Sequence, residues 1–148
     1  MEIKAEKLAE ELHHGQLDKA GKPYILHPKR VAHDLRIRGY SLDHQVVALL
    51  HDVVEDCPGV TLDSLRADGI TDKQLEAIDA ISRRDDEKYA DYIRRCAKNP
   101  IAKQVKIADL YDNLSPARQS GLKEYKQNSL RVRYTRSLAL LEGGYDVF

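Results

Sequence analysis

The stretch Ala48-Leu49-Leu50-His51-Asp52-Val53-Val54-Glu55-Asp56 mixes two kinds of residue that rarely share a helix. Its aliphatic residues, with Val46 and Val47 before them, belong in a protein interior. Its ionisable residues do not, unless they are paired, neutralised or bound to a metal. At helical spacing His51 and Glu55 stack at i, i+4, and so do Asp52 and Asp56, which puts all four on one broad side. That side offers a nitrogen ligand, an oxygen ligand and two further carboxylates one turn on. Metal-assisted hydrolysis needs this combination: an ion to polarise a water or a phosphoryl oxygen, and a base to accept a proton. The plainer alternative is a solvated helix end.

Two other stretches share the anomaly. In Val105-Lys-Ile-Ala-Asp-Leu-Tyr-Asp-Asn-Leu114, Asp109 sits among Ile107, Ala108 and Leu110, and Asn113 lies at i+4 on the same face. Asp109 can close a metal site there, and Asn113 can hold a ligand or a water; alternatively both simply lie near a helix end. In Gly21-Lys-Pro-Tyr-Ile-Leu-His-Pro28, His27 stands at a helix entrance. A lone histidine there is more often structural, and its weight comes from the other two stretches, which need a further ligand.

The rest of the chain reads as helix. Apolar residues recur at helical spacing from Ile3, Leu8 and Leu12 onward, and no run alternates with period two. Pro28 suits the first turn of a helix that reaches about Arg38 and stops at Gly39. Ser41 is expected to cap the helix that carries Val46 to Val54. Thr71 with Gln74 forms a capping box, and Asn99-Pro100 opens a helix through Asn113. Ser115-Pro116 repeats that signal, and a last helix reaches about Leu141 before Gly143-Gly144. The expectation is an all-α bundle of about seven or eight helices in one domain, residues 1–148.

Composition narrows the function classes. Lys+Arg and Asp+Glu both number 24, so the formal net charge is zero and no basic excess points to a nucleic-acid polymer. The longest apolar run, Val46 to Leu50, is far short of a membrane span. The N-terminal residues have no apolar signal core, so a cytoplasmic location is expected. Cys57 and Cys96 lack partners at metal-ligand spacing and read as free thiols. The oligomeric state is left open, a homodimer included.

Taken in order, a histidine, then His-Asp with Glu-Asp one turn later, then a distant aspartate resemble the HD phosphohydrolase superfamily. More narrowly, the chain resembles the hydrolase domain of the bifunctional guanosine tetraphosphate (alarmone) enzymes and their small stand-alone relatives. Four strings carry the likeness: His13-His-Gly-Gln16, Gly21-Lys-Pro-Tyr-Ile-Leu-His-Pro28, Ala48-Leu-Leu-His-Asp-Val-Val-Glu-Asp56 and Val105-Lys-Ile-Ala-Asp109. The resemblance implies an HD-type helical fold and a divalent ion, usually manganese, held by His27, His51, Asp52 and Asp109. Zinc or iron would also suit two histidines and two carboxylates. It implies that Glu55 and Asp56 position and deprotonate the attacking water, that Asn113 contacts the substrate or the site's inner wall, that Lys19 contacts the substrate, and that the substrate is a small phosphorylated nucleotide. The chain is too short for the synthetase domain of the bifunctional relatives, so hydrolysis alone is expected.

Departures from the family pattern bear on substrate. Asp18-Lys19 stands where relatives often carry Arg-Lys, and Leu110, Asp112 and Ser115 stand at places where relatives carry basic, aromatic or arginine residues. Arg83, Arg84 and Arg118 could supply that missing charge, but each reads first as solvated surface, and His13, His14, His33 and His44 read as structural or surface histidines. Two rivals therefore stand beside removal of the 3′-pyrophosphate from an alarmone. One is an HD-type phosphatase or nucleotidase with another nucleotide; the other is a sensor that binds without turnover.

Overall fold

The computed structural model describes residues 2–148, with side chains from Lys4 onward; the side chain of Ile3 lies outside the described residues. Among the described residues ten helices follow one another: α1 (Glu2–Leu12), α2 (Leu26–Ile37), α3 (Leu42–Leu50), α4 (Val53–Asp56), α5 (Leu62–Ala67), α6 (Asp72–Ile81), α7 (Tyr89–Cys96), α8 (Pro100–Asn113), α9 (Pro116–Gln119) and α10 (Glu124–Gly143). Among the described residues no strand forms; Leu17 and Pro23 make a single isolated bridge that closes the loop after α1. Among the described residues no helix is long and apolar enough to cross a membrane.

The all-α reading holds, and the two extra helices arise where two expected helices are interrupted. The stretch expected to run unbroken from Ser41 to Val54 is interrupted at His51-Asp52, giving α3 and the single turn α4. The stretch opened by Ser115-Pro116 stops after one turn, α9, and restarts at Glu124. The caps vary. Thr71 accepts from the Gln74 N–H in a reciprocal box, and Asn99 accepts from Ile101 and Ala102 ahead of Pro100. Ser41 has extended cap geometry, but its hydroxyl pairs with His44 Nδ1 at 2.7 Å instead of capping.

Two apolar clusters organise the packing. The larger joins α1, α2, α3, α6 and the first half of α8 through Ala9, Leu35, Val46, Leu50, Ile78, Ile81 and Val105. The smaller joins α7, α8 and α10 through Tyr92, Ile93, Ile107, Leu110 and Leu141. Every residue of α3 from Gln45 to Leu50 is buried, as expected of a helix that is apolar on all sides. Each of its larger aliphatic residues contributes roughly 2 kcal/mol on burial. This apolar frame fixes the C-terminal end of α3 and the middle of α8, the two places that carry ionisable groups.

One contact ties the α1–α2 loop to the α9–α10 turn. A Cβ built on Gly121 would lie 1.9 Å from the Lys19 carbonyl oxygen. Only glycine lets the two backbones meet there, and the loop holding Asp18, Lys19 and Tyr24 is placed by that meeting. Gly121→Ala is therefore expected to force the segments apart, at a cost of about 1–3 kcal/mol in a denaturant titration. Unchanged stability would show that the loop is not held there.

Candidate metal centre and its cavity

The interruption after Leu50 decides the site's geometry. Neighbouring residues on a regular helix point about 100° apart. Here His51 and Asp52 lie between α3 and α4, and His51 Nε2 comes within 3.1 Å of Asp52 Oδ1. His51 Nδ1 donates to the Ala48 carbonyl at 2.5 Å, which turns the ring and leaves Nε2 facing inward. From α2, His27 brings its Nε2 to 2.7 Å from Asp109 Oδ1 and 3.9 Å from Asp52 Oδ2. His51 Nε2 lies 3.1 Å from the same Asp109 oxygen. One donor atom each from His27, His51 and Asp52 fall within 4.8 Å of one another. The four residues expected from sequence thus meet at one point, drawn from α2, the α3–α4 junction and α8.

Four side chains to which the sequence reading gave no part in the centre hold this group in place. Asp112 accepts from His27 Nδ1 at 2.6 Å and is itself gripped by Arg30 Nε and Nη2 at 2.8 and 3.0 Å. Tyr24 donates its hydroxyl to Asp52 Oδ2 at 2.5 Å. Lys106 places its ammonium 2.8 Å from Asp109 Oδ2 and 5.3 Å from the centre of the Tyr92 ring. Spacing carried a faint signal for each: Tyr24 stands three residues before His27, Arg30 three after it, and Lys106 and Asp112 flank Asp109 at i−3 and i+3.

Electrostatics follow from that crowding. Burial pushes Asp109 up, but the Lys106 charge and hydrogen bonds from both histidines outweigh it and hold the carboxyl well below the usual range. Burial pulls His27 down, yet its bonds to Asp109 and Asp112 leave it above its ordinary value. His51 is likewise opposed by burial and is raised to about 9 by the charges of Asp52 and Asp109. Without an ion the two imidazoles hold protons against the carboxylates. A divalent cation can replace those protons, because both Nδ1 atoms already have acceptors and both Nε2 atoms face Asp109. Two nitrogen and two oxygen donors fit a first-row divalent metal.

The carboxylates one turn on diverge. Asp56 joins Tyr24 and Asn113 on the wall of a cavity of about 330 Å³, further lined by Lys19, Asp18, Arg118 and Tyr134. Glu55 faces a second hollow with Arg83, Arg84 and Asp85, where it accepts a hydrogen bond from the Arg83 backbone N–H. The expectation that they share one side is therefore revised: as consecutive residues of α4 they line different hollows. Burial raises both, aided by the nearby Asp52 charge and opposed at Glu55 by the Arg83 N–H. Asn113 donates to Asp109 Oδ1 at 3.4 Å while lining the cavity, and Lys19 stands exposed at its rim. Arg118, read from sequence as solvated surface, is largely buried in the cavity wall. The other discounted groups keep their places: His14 and His33 are exposed, His13 is buried, and both cysteines are free and buried.

Comparison with known proteins agrees with this architecture. A family model described as "HD domain" matches residues 5–128. A GTP pyrophosphokinase of Streptomyces coelicolor is 34% identical over 133 residues, covering 84% of this chain and 15% of the relative. A guanosine-3′,5′-bis(diphosphate) 3′-pyrophosphohydrolase of Vibrio cholerae is 38% identical over 92 residues, covering 62% of this chain and 13% of the relative. The chain thus spans about a seventh of the length of such relatives. A solved structure described as a metazoan ortholog of SpoT that hydrolyzes ppGpp superposes with a TM-score of 0.80 at 21% identity, covering 96% of this chain and 85% of the other, which establishes a common fold. With the match spanning most of its length and the His-Asp pair at its centre, this chain belongs to the HD domain family.

Proposed function

We propose that this chain is a metal-dependent phosphohydrolase acting on a small phosphorylated nucleotide, with the 3′-pyrophosphate of a guanosine alarmone as the bond it breaks. The observation that carries the reading is the convergence of His27, His51, Asp52 and Asp109 beside a cavity whose wall holds a carboxylate, an amide and cationic side chains. The Vibrio cholerae relative is named for this reaction, and the metazoan structure is described as that of a ppGpp hydrolase. A single catalytic domain over residues 1–148, manganese as the ion and a cytoplasmic setting belong to the same proposal.

When bound, the ion supplies Lewis-acid polarisation of water and of phosphoryl oxygen. The protein's own groups do the rest. His27 and His51 present Nε2 because Asp112 and the Ala48 carbonyl hold their other nitrogens. Tyr24 fixes Asp52, and Lys106 fixes Asp109 while neutralising part of its charge. Asp56 and Glu55, both raised by burial, accept the proton of the attacking water. Asn113 and Lys19 bind and orient the substrate from the cavity floor and rim. The catalytic pair separates this reading from a pure sensor, which needs no base.

A panel of phosphorylated nucleotides incubated with manganese tests the assignment directly. Pyrophosphate release from guanosine tetraphosphate is expected; release from a different nucleotide would move the substrate, and none from any would leave a binding protein. His51→Ala and Asp52→Ala are expected to lose bound metal together with activity, and chelation to lower the melting temperature of the parent by mass action. Metal analysis showing full occupancy in both variants would remove the centre.

Metal uptake should also release protons and tighten as pH rises toward about 9, the value to which His51 is raised, because the ion needs the neutral imidazole. Calorimetry in buffers of different ionisation enthalpy measures that release. Glu55→Gln is expected to keep the metal and lose kcat by about 10²-fold or more, since glutamine keeps the shape but cannot take the proton. The Glu55→Gln, Asp56→Asn double variant should fall further, though by less than the product of the single losses. Parental kcat in the double variant would show that the proton goes elsewhere.

A further inference from the structure

Arg118 differs from the other arginines set into this fold. Arg95 is saturated: its three nitrogens donate to both Glu87 carboxylate oxygens and to the carbonyls of Asp79, Ala80 and Ser82, all within 3.2 Å. Arg30 closes on Asp112 in a two-point grip. Arg118 is 16% exposed, and among the described residues its guanidinium makes one hydrogen bond, Nε to Asn113 Oδ1 at 3.2 Å. Its Nη1 is buried without a hydrogen-bond partner. A guanidinium has five N–H donors, and leaving a buried one unused is costly.

The nearest carboxylate does not close on it. Asp18 Oδ2 stands 3.8 Å from Nη1, well beyond the about 2.7–2.9 Å of a formed charge-assisted bond. Asp18 is held back by its own loop, since its Oδ1 accepts from the Ala20 and Lys22 N–H groups at 2.9 Å each. The loop is pinned in turn by the contact of Gly121 with the Lys19 carbonyl. The guanidinium rests over the Tyr24 ring, 5.3 Å from its centre, and the hydroxyl of that ring is bonded to Asp52. Arg118 therefore stands one aromatic ring from the metal ligands, with donors unspent and its planar fork fixed in the cavity wall.

Resting on the phosphohydrolase reading, we propose that Arg118 is a substrate-binding residue that takes a phosphate of the nucleotide through its unused N–H donors, and that Asp18 holds it poised and competes with that phosphate. The planar fork suits phosphate geometry, and Lys19 at the rim adds a second positive charge. In this way the chain replaces positive charge that family relatives carry at other positions.

Three variants test it: Arg118→Gln, Arg118→Lys and Asp18→Asn, the last keeping an oxygen for the loop N–H groups. Steady-state hydrolysis of guanosine tetraphosphate is read beside the melting temperature, and calorimetric binding of inorganic pyrophosphate is measured without turnover. Arg118→Gln is expected to raise KM about tenfold or more with kcat within about threefold, the scale of a hydrogen bond to a charged group. Lysine should recover part of that loss, because it keeps the charge but not the fork. Asp18→Asn should lower KM and tighten pyrophosphate. Parental KM and pyrophosphate affinity in Arg118→Gln would overturn the proposal, as would a fall in kcat and melting temperature with KM unchanged, the mark of a packing role. If the parent turns over no nucleotide, the functional reading fails separately, and the pyrophosphate comparison alone decides the role of Arg118.

Discussion

A buried carboxylate governs this structure. Asp109 is almost wholly removed from solvent in the middle of α8, where an isolated charge would be ruinous. It stays ionised because Lys106 meets one oxygen and His27, His51 and Asn113 crowd the other. Each of those partners must then be held in place. Asp112 and Arg30 fix His27, the Ala48 carbonyl fixes His51, and Tyr92 lies beneath the Lys106 ammonium. Much of the polar architecture of α2, α3 and α8 follows from keeping one charge inside the protein.

The apolar frame makes that arrangement affordable. Helix α8 presents one set of residues to the cluster it shares with α2, α3 and α6, and another to the cluster it shares with α7 and α10. A helix gripped from two sides cannot rotate to relieve strain at its polar centre. The interruption at His51-Asp52 is the complementary device: it gives up regular helix so that two successive side chains reach one point. Beyond it, Asp56 lines the cavity shared with Tyr24 and Asn113, and Glu55 lines a separate hollow beside Arg83 and Arg84.

Charge around the cavity is arranged by contacts distant in sequence. Asp18, Lys19 and Tyr24 on the first loop meet Asn113 and Arg118 beyond α8, and Gly121 keeps the two backbones close. Asp112 shows how a residue that looks like a lost binding position can be kept for another task. It cannot bind an anionic phosphate, but its carboxylate orients the imidazole of His27.

The sequence by itself determined a great deal. Helical spacing without alternation fixed the fold class, and Thr71-Gln74 and Asn99-Pro100 marked helix starts that form as expected. Ionisable residues in apolar helices marked His51, Asp52 and Asp109, because unpaired burial is too costly to persist; His27 gained weight only from those stretches, and the four-residue set came from the resemblance to the HD family. Local rules could not show where a regular helix gives way: His51 and Asp52 have no breaker between them, and the interruption depends on contacts with α2 and α8. Nor could they show which side chains meet across long separations. Tyr24 reaches Asp52, Lys106 proves to be buried, and Arg118 leaves the expected surface for the cavity wall. These are pairings through space, and only the packed tertiary structure sets the distances on which their energies depend.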